Sequence, residues 1–238
     1  MRFCIEDAVF QMFPEFCRAV VVAAGVDNSR PPHELETLLR SQEEKIRRDP
    51  GIDPGTHPRL QAWREAYRKF GSNPNKFTPS IVFLVKQVKA GKPIRSISPA
   101  VDAFNIVSLK YLVPCGGDDM NRVEGDVTLG IAASDETFAP LFKPDEIEHP
   151  DPGEVIYVNR QTKRVLCRRW NWRNADFSKI TPETRNLAIN VDGMMSAIKR
   201  EEIEEAAEEL RQLLLGHCGG QVSIYYLDAQ NRQLTVDF

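Results

Sequence analysis

The sequence predicts an α+β fold, a mixed and largely antiparallel sheet with flanking helices. Segments of helical period and segments of alternating polarity follow one another irregularly, without the regular alternation of strand and helix that builds a parallel sheet. The 238 residues are 42% hydrophobic and 27% charged, which is typical of a globular chain. We expect one compact unit, in which an N-terminal strand and helical segment (residues 1–75) packs on a core formed by residues 76–238.

The first half of the chain predicts one strand and three helices. The run FCRAVVVAA (16–24) is apolar and β-branched, as in a buried strand. Pro31 and Pro32 precede a helix in which leucines recur near 3.6 spacing, and HPRLQAWREAYRKF predicts a second helix that ends at Gly71. PSIVFLVKQVKA predicts a third helix that ends at Gly91, with a strand as the alternative because of its β-branched residues.

The second half predicts mainly strands, followed by one long helix. RVEGDVTLGIAA alternates in polarity, and EVIYVN, RQTK and RVLCRRWNW together predict a β-hairpin with a polar turn. Apolar residues at helical spacing predict a single helix over residues 193–215, and Gly216 ends it. The final segment, VSIYYLDAQNRQLTVDF, predicts a terminal hairpin.

Composition excludes several classes of protein. The five cysteines form no C-x-x-C pair and the four histidines are scattered, so we expect reduced thiols, no metal site and no cofactor. The formal net charge is −3, so binding of RNA needs a local basic patch, and DNA is not an expected partner. The sequence contains neither a secretory signal nor an apolar run long enough for a membrane span, so we expect a cytoplasmic protein without a membrane partner.

The stretch VDAFNIVSLKYLVPCGGDD (101–119) has features of a binding site. Asn105 lies within an apolar element, where its amide must be hydrogen-bonded to the backbone or to a ligand. Gly116 and Gly117 allow either a tight turn or the close approach of a backbone to a ligand. The segment is therefore either a structural turn or the rim of a small-molecule pocket.

The segment RQTKRVLCRRWNWR (160–173) concentrates positive charge and indole rings in an acidic protein. Guanidinium groups pair with phosphates and indole faces stack on bases, which favours contact with RNA. The alternative is a solvated hairpin with one tryptophan in the core. The predicted RNA-binding residues are Arg164, Arg168, Arg169, Trp170, Trp172 and Arg173.

The order of several short motifs resembles the B3/B4 domain of the β-subunit of bacterial phenylalanyl-tRNA synthetase. The family pattern runs from a helix and a glycine through Pro-Ile to V-V-D-x-x-N, and this chain has VKAGKPIRSISPAVDAFN with slightly longer spacing. The family's P-x-H-x-[FY]-D corresponds to PCGGDD, followed by RVEGDVTLGIAASDE and ITPETRNLAINVDGM in the later positions. The resemblance spans roughly residues 78–195 and implies the α+β fold of that domain.

The resemblance also implies an editing site that hydrolyses mischarged tyrosyl-tRNA. Asn105 matches the asparagine of that site, whereas Gly116 stands where the family has a histidine and Asp118 where it has an aromatic residue. Asp176 lies near the position of the glutamate that reads the tyrosine hydroxyl. The implied catalytic residues are Asn105, Gly116, Gly117 and Asp176, and the implied substrate-binding residues are Pro114, Asp118, Asp119 and Thr184.

Two functions follow from these features. The first is a free-standing hydrolase that edits mischarged aminoacyl-tRNA, with backbone N–H groups at the glycines as oxyanion donors. The second is a non-catalytic module that binds tRNA or an amino-acid-like ligand, which the missing histidine favours. In a third interpretation only the fold is retained, and the acidic helix at 201–215 contacts a partner protein. The expected partners are tRNA or aminoacyl-tRNA and an amino-acid-like small molecule.

Overall fold

The computed structural model describes residues 1–237, which form six α-helices, one short 3-10 helix (Met120–Arg122) and ten strands in an α+β fold. The helices are α1 (Asp7–Met12), α2 (His33–Arg48), α3 (Pro58–Lys69), α4 (Ser80–Lys89), α5 (Pro99–Tyr111) and α6 (Arg200–His217). The strands are β1 (Arg2–Ile5), β2 (Phe16–Ala24), β3 (Cys115–Asp119), β4 (Val127–Ile131), β5 (Val155–Val158), β6 (Val165–Arg168), β7 (Arg173–Asn174), β8 (Leu187–Met194), β9 (Gln221–Leu227) and β10 (Gln233–Thr235).

The strands form two sheets. The larger sheet has the order β10-β1-β4-β5-β6-β7, and its strands pair antiparallel except for the parallel pair β1 and β4. The smaller sheet has the order β3-β8-β2-β9 and is antiparallel throughout. The predicted mixed and largely antiparallel architecture is confirmed.

The smaller sheet joins distant parts of the chain. β2 is apolar along nearly its whole length, as expected of a strand with neighbours on both sides, and it pairs with β8 and β9. β3 pairs only with β8, so it is an edge strand. The helix α6 packs on β2, β8 and β9, while α5 packs on α2, α6 and β3.

Local signals set most helix ends. Pro58 and Pro99 occupy first-turn positions, where the missing N–H costs nothing. α5 ends at Leu112, whose backbone is left-handed with φ of 55°. At the start of α6, the backbone N–H of Lys199 donates to the side chain of Glu202, so the N–H of the residue just before the helix is hydrogen-bonded.

Two local predictions are wrong. The helix predicted over 193–215 begins at Arg200, because Gly193 and Met194 complete strand β8, and a side chain at Gly193 would collide with Ile203. The predicted terminal hairpin is absent, since β9 pairs with β2 and β10 pairs with β1. The turn, one of the two alternatives for CGGDD, is also absent, since this segment is strand β3.

Candidate functional site

A cavity of about 550 Å³ lies between the two sheets. Residues of β3 and β8 form one wall, and residues of β5, β6 and β7 contribute to the opposite side. The first turns of α4 and the middle of α5 close it laterally. Two edges of separate sheets therefore meet at one concave surface, as is common for small-molecule sites.

One face of the smaller sheet carries polar residues into this cavity. Gly116 pairs with Asn190 and Asp118 pairs with Ala188 across β3 and β8, so residues of equal parity share a face. Asn190 and Asp192 alternate along β8 on that same face. Gly116, Asp118, Asn190 and Asp192 all line the cavity.

The register of β3 directs the backbone N–H groups of Gly116 and Gly117 to opposite sides of the strand. The N–H of Asp192 donates to the Pro114 carbonyl, which places Pro114, Gly116 and Asp118 at the hydrogen-bonded positions of the ladder. The N–H of Asp119 instead donates to the Ser178 carbonyl, away from β8. Of the two glycines, Gly116 therefore directs its N–H at β8, and Gly117 directs its N–H at the free edge of the sheet.

The two glycines also differ in the space around them. A Cβ at Gly116 would have no atom within 4 Å, so this position leaves part of the cavity open. A Cβ at Gly117 would lie 2.8 Å from Cγ1 of Ile189 and 3.0 Å from the carbonyl oxygen of Ala188. Gly117 is thus required by backbone packing, whereas Gly116 determines the shape of the cavity.

We expect Gly117→Ala to lower the free energy of unfolding by about 1–3 kcal/mol, because the added methyl group is forced into packed atoms. Gly116→Ala is the matched control and should change stability little, since its methyl group enters open space. Urea unfolding of both variants measures the difference. Equal losses in the two variants would contradict this account of the site.

A buried ion pair supports the wall of the cavity. Nε of Arg18 lies 2.7 Å from Oδ1 of Asp192, and both side chains are at most 4% exposed. Oδ2 of Asp192 also accepts from the Tyr157 hydroxyl (3.1 Å) and from Nε1 of Trp170 (3.1 Å), while Arg18 donates to the same hydroxyl. Burial lowers the pKa of Arg18, but Asp192 and Tyr157 outweigh it and the pKa is raised overall.

Asp118 is the acidic group of the cavity that lacks a basic partner. Its Oδ1 accepts from the Ser178 hydroxyl at 2.6 Å, and no lysine or arginine within residues 1–237 forms an ion pair with it. Burial raises the pKa of Asp118 to about 7, opposed by the Ser178 hydrogen bond and assisted by the charge of Asp119. Protein surrounds the carboxyl group, but water reaches it through the cavity.

Asn105 comes from α5 and lies in the lateral wall. It is 8% exposed, and no hydrogen bond from any residue of 1–237 reaches its side-chain amide. The sequence left open a structural role in which this amide is hydrogen-bonded to the backbone, but the amide has no such partner in residues 1–237. The amide instead offers both a donor and an acceptor to the contents of the cavity.

A tight reversal after β6 builds the opposite wall. Arg169 and Trp170 both have left-handed backbone, with φ of 46° and 65°, which is costly for residues with a Cβ. Trp170 is fully buried, with its ring 4.9–5.2 Å from those of Phe13, Phe16 and Trp63. This anchoring turns the following residues toward the cavity.

Asn171 follows the reversal and is held in a fixed orientation. Its Oδ1 accepts from the Tyr67 hydroxyl (3.0 Å) and from the N–H of Ser80 (3.1 Å). Both bonds use the oxygen, so the Nδ2 group is left without a partner. The amide nitrogen is therefore a prepositioned donor in the cavity wall.

Unpartnered polar atoms concentrate at the cavity. Six buried side-chain nitrogen or oxygen atoms lack a hydrogen bond in the part of the chain described, and four belong to residues that line it. Each such atom costs about 1–3 kcal/mol unless water or a ligand pairs with it. The four are Oγ of Ser80, Nδ2 of Asn171, Nε of Arg173 and Oδ1 of Asn190.

The rim of the cavity combines an exposed ring with positive charge. Phe83 on α4 lines the cavity and is 56% exposed, although it is a large apolar residue. Lys76, also exposed, lies at the same cavity with its Nζ 5.0 Å from the ring centroid of Phe77. Trp172 packs against Phe77, with ring centroids 4.9 Å apart.

Some residues implied by the family resemblance lie outside this cavity. Asp176 does not line it, since its Oδ1 accepts from the N–H of Phe142 (2.9 Å) and from Nζ of Lys179 (2.8 Å). These bonds lower the pKa of Asp176, the Lys179 bond most. Asp119 accepts from the Thr184 hydroxyl (2.7 Å), and this pair secures the turn after β3 rather than facing the cavity.

The structure also corrects the proposed RNA-facing hairpin. Arg168 and Arg169 are buried and pair with Glu154, at 3.1 Å in the case of Arg169, so their guanidinium groups are already neutralised inside the protein. Trp170 is a core residue. Arg164, Trp172 and Arg173 retain partial or full exposure, so a role in RNA binding stays a prediction for these three.

Sequence reasoning missed several residues of the site. Arg18 and Asp192 come from strands far apart in the chain and meet because β2 pairs with β8, while Tyr157 reaches them from β5 of the other sheet. An arginine inside the apolar run FCRAVVVAA was a signal for a buried partner, since an isolated buried charge is prohibitively costly. Asn171 and Asn190 carried no comparable signal.

Residues 1–237 contain no cluster of three potential metal ligands from histidine, cysteine, aspartate and glutamate. Within the same range, no helix combines the length and hydropathy needed to cross a membrane. No histidine lines the cavity, and burial is the main cause of the raised pKa values of Cys115 and Cys167 there. A thiolate nucleophile is therefore not available in this site.

Comparison with known proteins places these observations in a family. The family model of the B3/4 domain matches residues 62–219, about two thirds of the chain. The phenylalanine–tRNA ligase β-subunit of Dickeya dadantii is 29% identical over 154 residues, which cover 54% of this chain and 18% of that subunit. The corresponding subunit of Mycobacterium leprae is 38% identical over 74 residues, covering 31% of this chain and 8% of the subunit.

The chain spans less than a fifth of the length of these ligase subunits. Among solved structures, an N-terminal fragment of the phenylalanyl-tRNA synthetase β-subunit from Pyrococcus horikoshii covers 92% of this chain and 49% of its own. Its sequence identity is 15% and its TM-score is 0.47.

Proposed function

Because the chain belongs to the B3/4 domain family, we propose that its cavity binds the aminoacyl group of a mischarged tRNA and that the protein hydrolyses the ester. The observation that carries this proposal is the cluster of unpartnered polar atoms at the cavity, which requires a polar ligand or water. The volume of about 550 Å³ is in the range of small-molecule sites.

The residues of the site divide the tasks of binding and hydrolysis. The amide of Asn105, which lacks a protein partner, holds the substrate ester or a water molecule. The N–H of Gly117 at the free edge of β3 and Nδ2 of Asn171 are the donors for a developing oxyanion. Gly116 leaves the space that the family's histidine side chain occupies in the resemblance.

The rim is suited to the end of a tRNA. An exposed phenylalanine ring stacks a nucleobase and an exposed lysine pairs with a phosphate, and Phe83 and Lys76 provide these groups beside the cavity. In this arrangement the terminal nucleotide lies on the rim while the aminoacyl group enters the cavity. Buried Arg168 and Arg169 take no part.

The test is deacylation of a panel of mischarged aminoacyl-tRNAs by the purified protein. We expect hydrolysis of at least one substrate, and Asn105→Ala should lower kcat/KM about tenfold or more because a substrate contact is lost. Asp135→Asn, in an exposed ion pair with Lys163, is the control and should leave the rate unchanged. Rates equal to those in buffer across the whole panel would overturn the enzymatic proposal.

The absence of a histidine among the cavity residues favours a second function, a binding module without turnover. In that case the panel shows no deacylation, while calorimetry detects binding of an aminoacyl-tRNA that Asn105→Ala weakens. Hydrolysis of any substrate that depends on Asn105 excludes this alternative.

A further inference from the structure

Asp118 is the cavity group that the proposed hydrolysis leaves without a task. It stands on β3 beside the open space at Gly116, on the sheet face that also carries Asn190. The other cavity carboxylate, Asp192, is fully compensated by Arg18, Tyr157 and Trp170. Asp118 has one neutral donor, the hydroxyl of Ser178.

An ionised carboxylate that is largely enclosed by protein lowers the stability of the folded state unless a positive charge or hydrogen-bond donors pair with it. Ion pairs engage most of the buried acids of this chain, including Glu154 with Arg168 and Glu136 with Arg160. Asp118 is only partly buried, since water reaches it from the cavity, and the one neighbouring charge that shifts its pKa is that of another acid, Asp119. Asp118 is therefore neutralised either by a proton, as its raised pKa allows, or by a positive charge that enters from the cavity.

The surroundings of Asp118 fit a cationic nitrogen. Ser178 uses its hydroxyl on Oδ1, which leaves Oδ2 free to accept. Asn190 lies on the adjacent strand, diagonally across from Asp118 within reach of one ligand group, and its amide oxygen lacks a partner. A carboxylate and an amide oxygen on one face are the acceptors that an ammonium or guanidinium group requires.

We propose that Asp118 pairs with a positively charged nitrogen of the bound aminoacyl group, so that the cavity takes ligands that place such a charge next to β3. The inference rests on the proposed function, because it assigns the substrate class of the same cavity. The charge comes either from the α-ammonium group or from a cationic side chain, and the two sources are separable by experiment.

The experiment is calorimetry with three stable amides at about pH 7, where α-ammonium groups of pKa near 8 are still mostly protonated and about half of Asp118 is ionised. L-lysinamide carries both charges, L-norleucinamide lacks the side-chain charge, and 6-aminohexanamide lacks the α-ammonium group. We expect L-lysinamide to bind and Asp118→Asn to weaken it about tenfold to a hundredfold, the effect of a charge-assisted hydrogen bond.

The pattern among the probes identifies the source of the charge. If the side chain supplies it, Asp118→Asn weakens L-lysinamide and 6-aminohexanamide and leaves L-norleucinamide unchanged. If the α-ammonium group supplies it, the variant weakens L-lysinamide and L-norleucinamide and spares 6-aminohexanamide. Asp135→Asn, a surface substitution of the same kind, should alter none of the three affinities.

Two results overturn the inference. One is equal affinity of wild type and Asp118→Asn for every probe, and the other is no binding of any probe up to millimolar concentration. Neither result touches the proposed hydrolysis, which is measured separately on aminoacyl-tRNA. Conversely, Asp118-dependent binding without deacylation supports the charge preference and removes the enzymatic proposal.

Discussion

Replacing Asp192 by asparagine is expected to lower the free energy of unfolding by about 3–5 kcal/mol. The substitution keeps the size of the side chain but removes its charge, so Arg18 remains buried without a counter-ion. Tyr157 and Trp170 donate to the same carboxylate, and their hydrogen bonds weaken as well. Chemical denaturation at neutral pH measures the loss.

Two further variants show that the effect comes from the buried charge. Glu208→Gln makes the same change of group in an exposed pair with Arg211 and should have a much smaller effect. In the Asp192→Asn background, Arg18→Met should recover part of the lost stability, because the unpaired charge is gone. If Asp192→Asn unfolds with the same midpoint as wild type, the ion pair does not support the cavity wall.

The second large effect is a dependence of stability on pH that Asp118 causes. Its pKa is raised by burial from 3.8 to about 7, so between these values the folded state binds a proton that the unfolded state has lost. Stability contributed by this proton is complete below about pH 4 and is lost as the pH rises through about 7. Since water reaches the carboxyl group through the cavity, we expect a loss of roughly 2–4 kcal/mol.

The measurement compares wild type with Asp118→Asn, because other carboxyl groups titrate in the opposite direction. Hydrogen bonds from Arg2 lower the pKa of Asp126, for example, and that group adds stability as the pH rises from acid. The difference in unfolding free energy between variant and wild type should therefore grow from about pH 4 to about pH 7 and then level off. If the unfolding free energies of wild type and Asp118→Asn change with pH in parallel, the pKa of Asp118 is not raised by burial.

The helices were predictable because their ends are encoded locally. Proline at the start of α3 and glycine after α4 fix boundaries that need no information from distant residues. The strand β2 was predictable for a similar reason, since a β-branched apolar run is rarely compatible with anything but a buried strand.

Strands β3 and β8 were not predictable in the same way. Glycines and aspartates disfavour strands, and CGGDD is extended only because β8 pairs with it along its whole length. β8 itself, LAINVDGM, was partly assigned to the following helix, because its apolar residues continue into a helical pattern. Tertiary pairing outweighs local preference in both strands.

The cavity was predictable in part. Asn105, Pro114, Gly116, Gly117 and Asp118 line it as expected from the segment 101–119, since those residues are close in sequence. The positions of Asp176, Asp119 and Thr184 depended on an alignment through loops, and the structure places them in other hydrogen bonds. Whether the cavity residues act in catalysis stays a prediction.

The pairing of β2 with β8 has a consequence for how the chain is made. About 160 residues separate the end of β2 at Ala24 from the start of β8 at Leu187. At ribosomal rates of about 5–20 residues per second, β2 is synthesised roughly 8–30 s before β8, and it leaves the exit tunnel earlier by the same interval. During that time an apolar strand with two open edges is exposed to other nascent chains, so we expect the yield of folded protein to depend on a chaperone that shields residues 16–24.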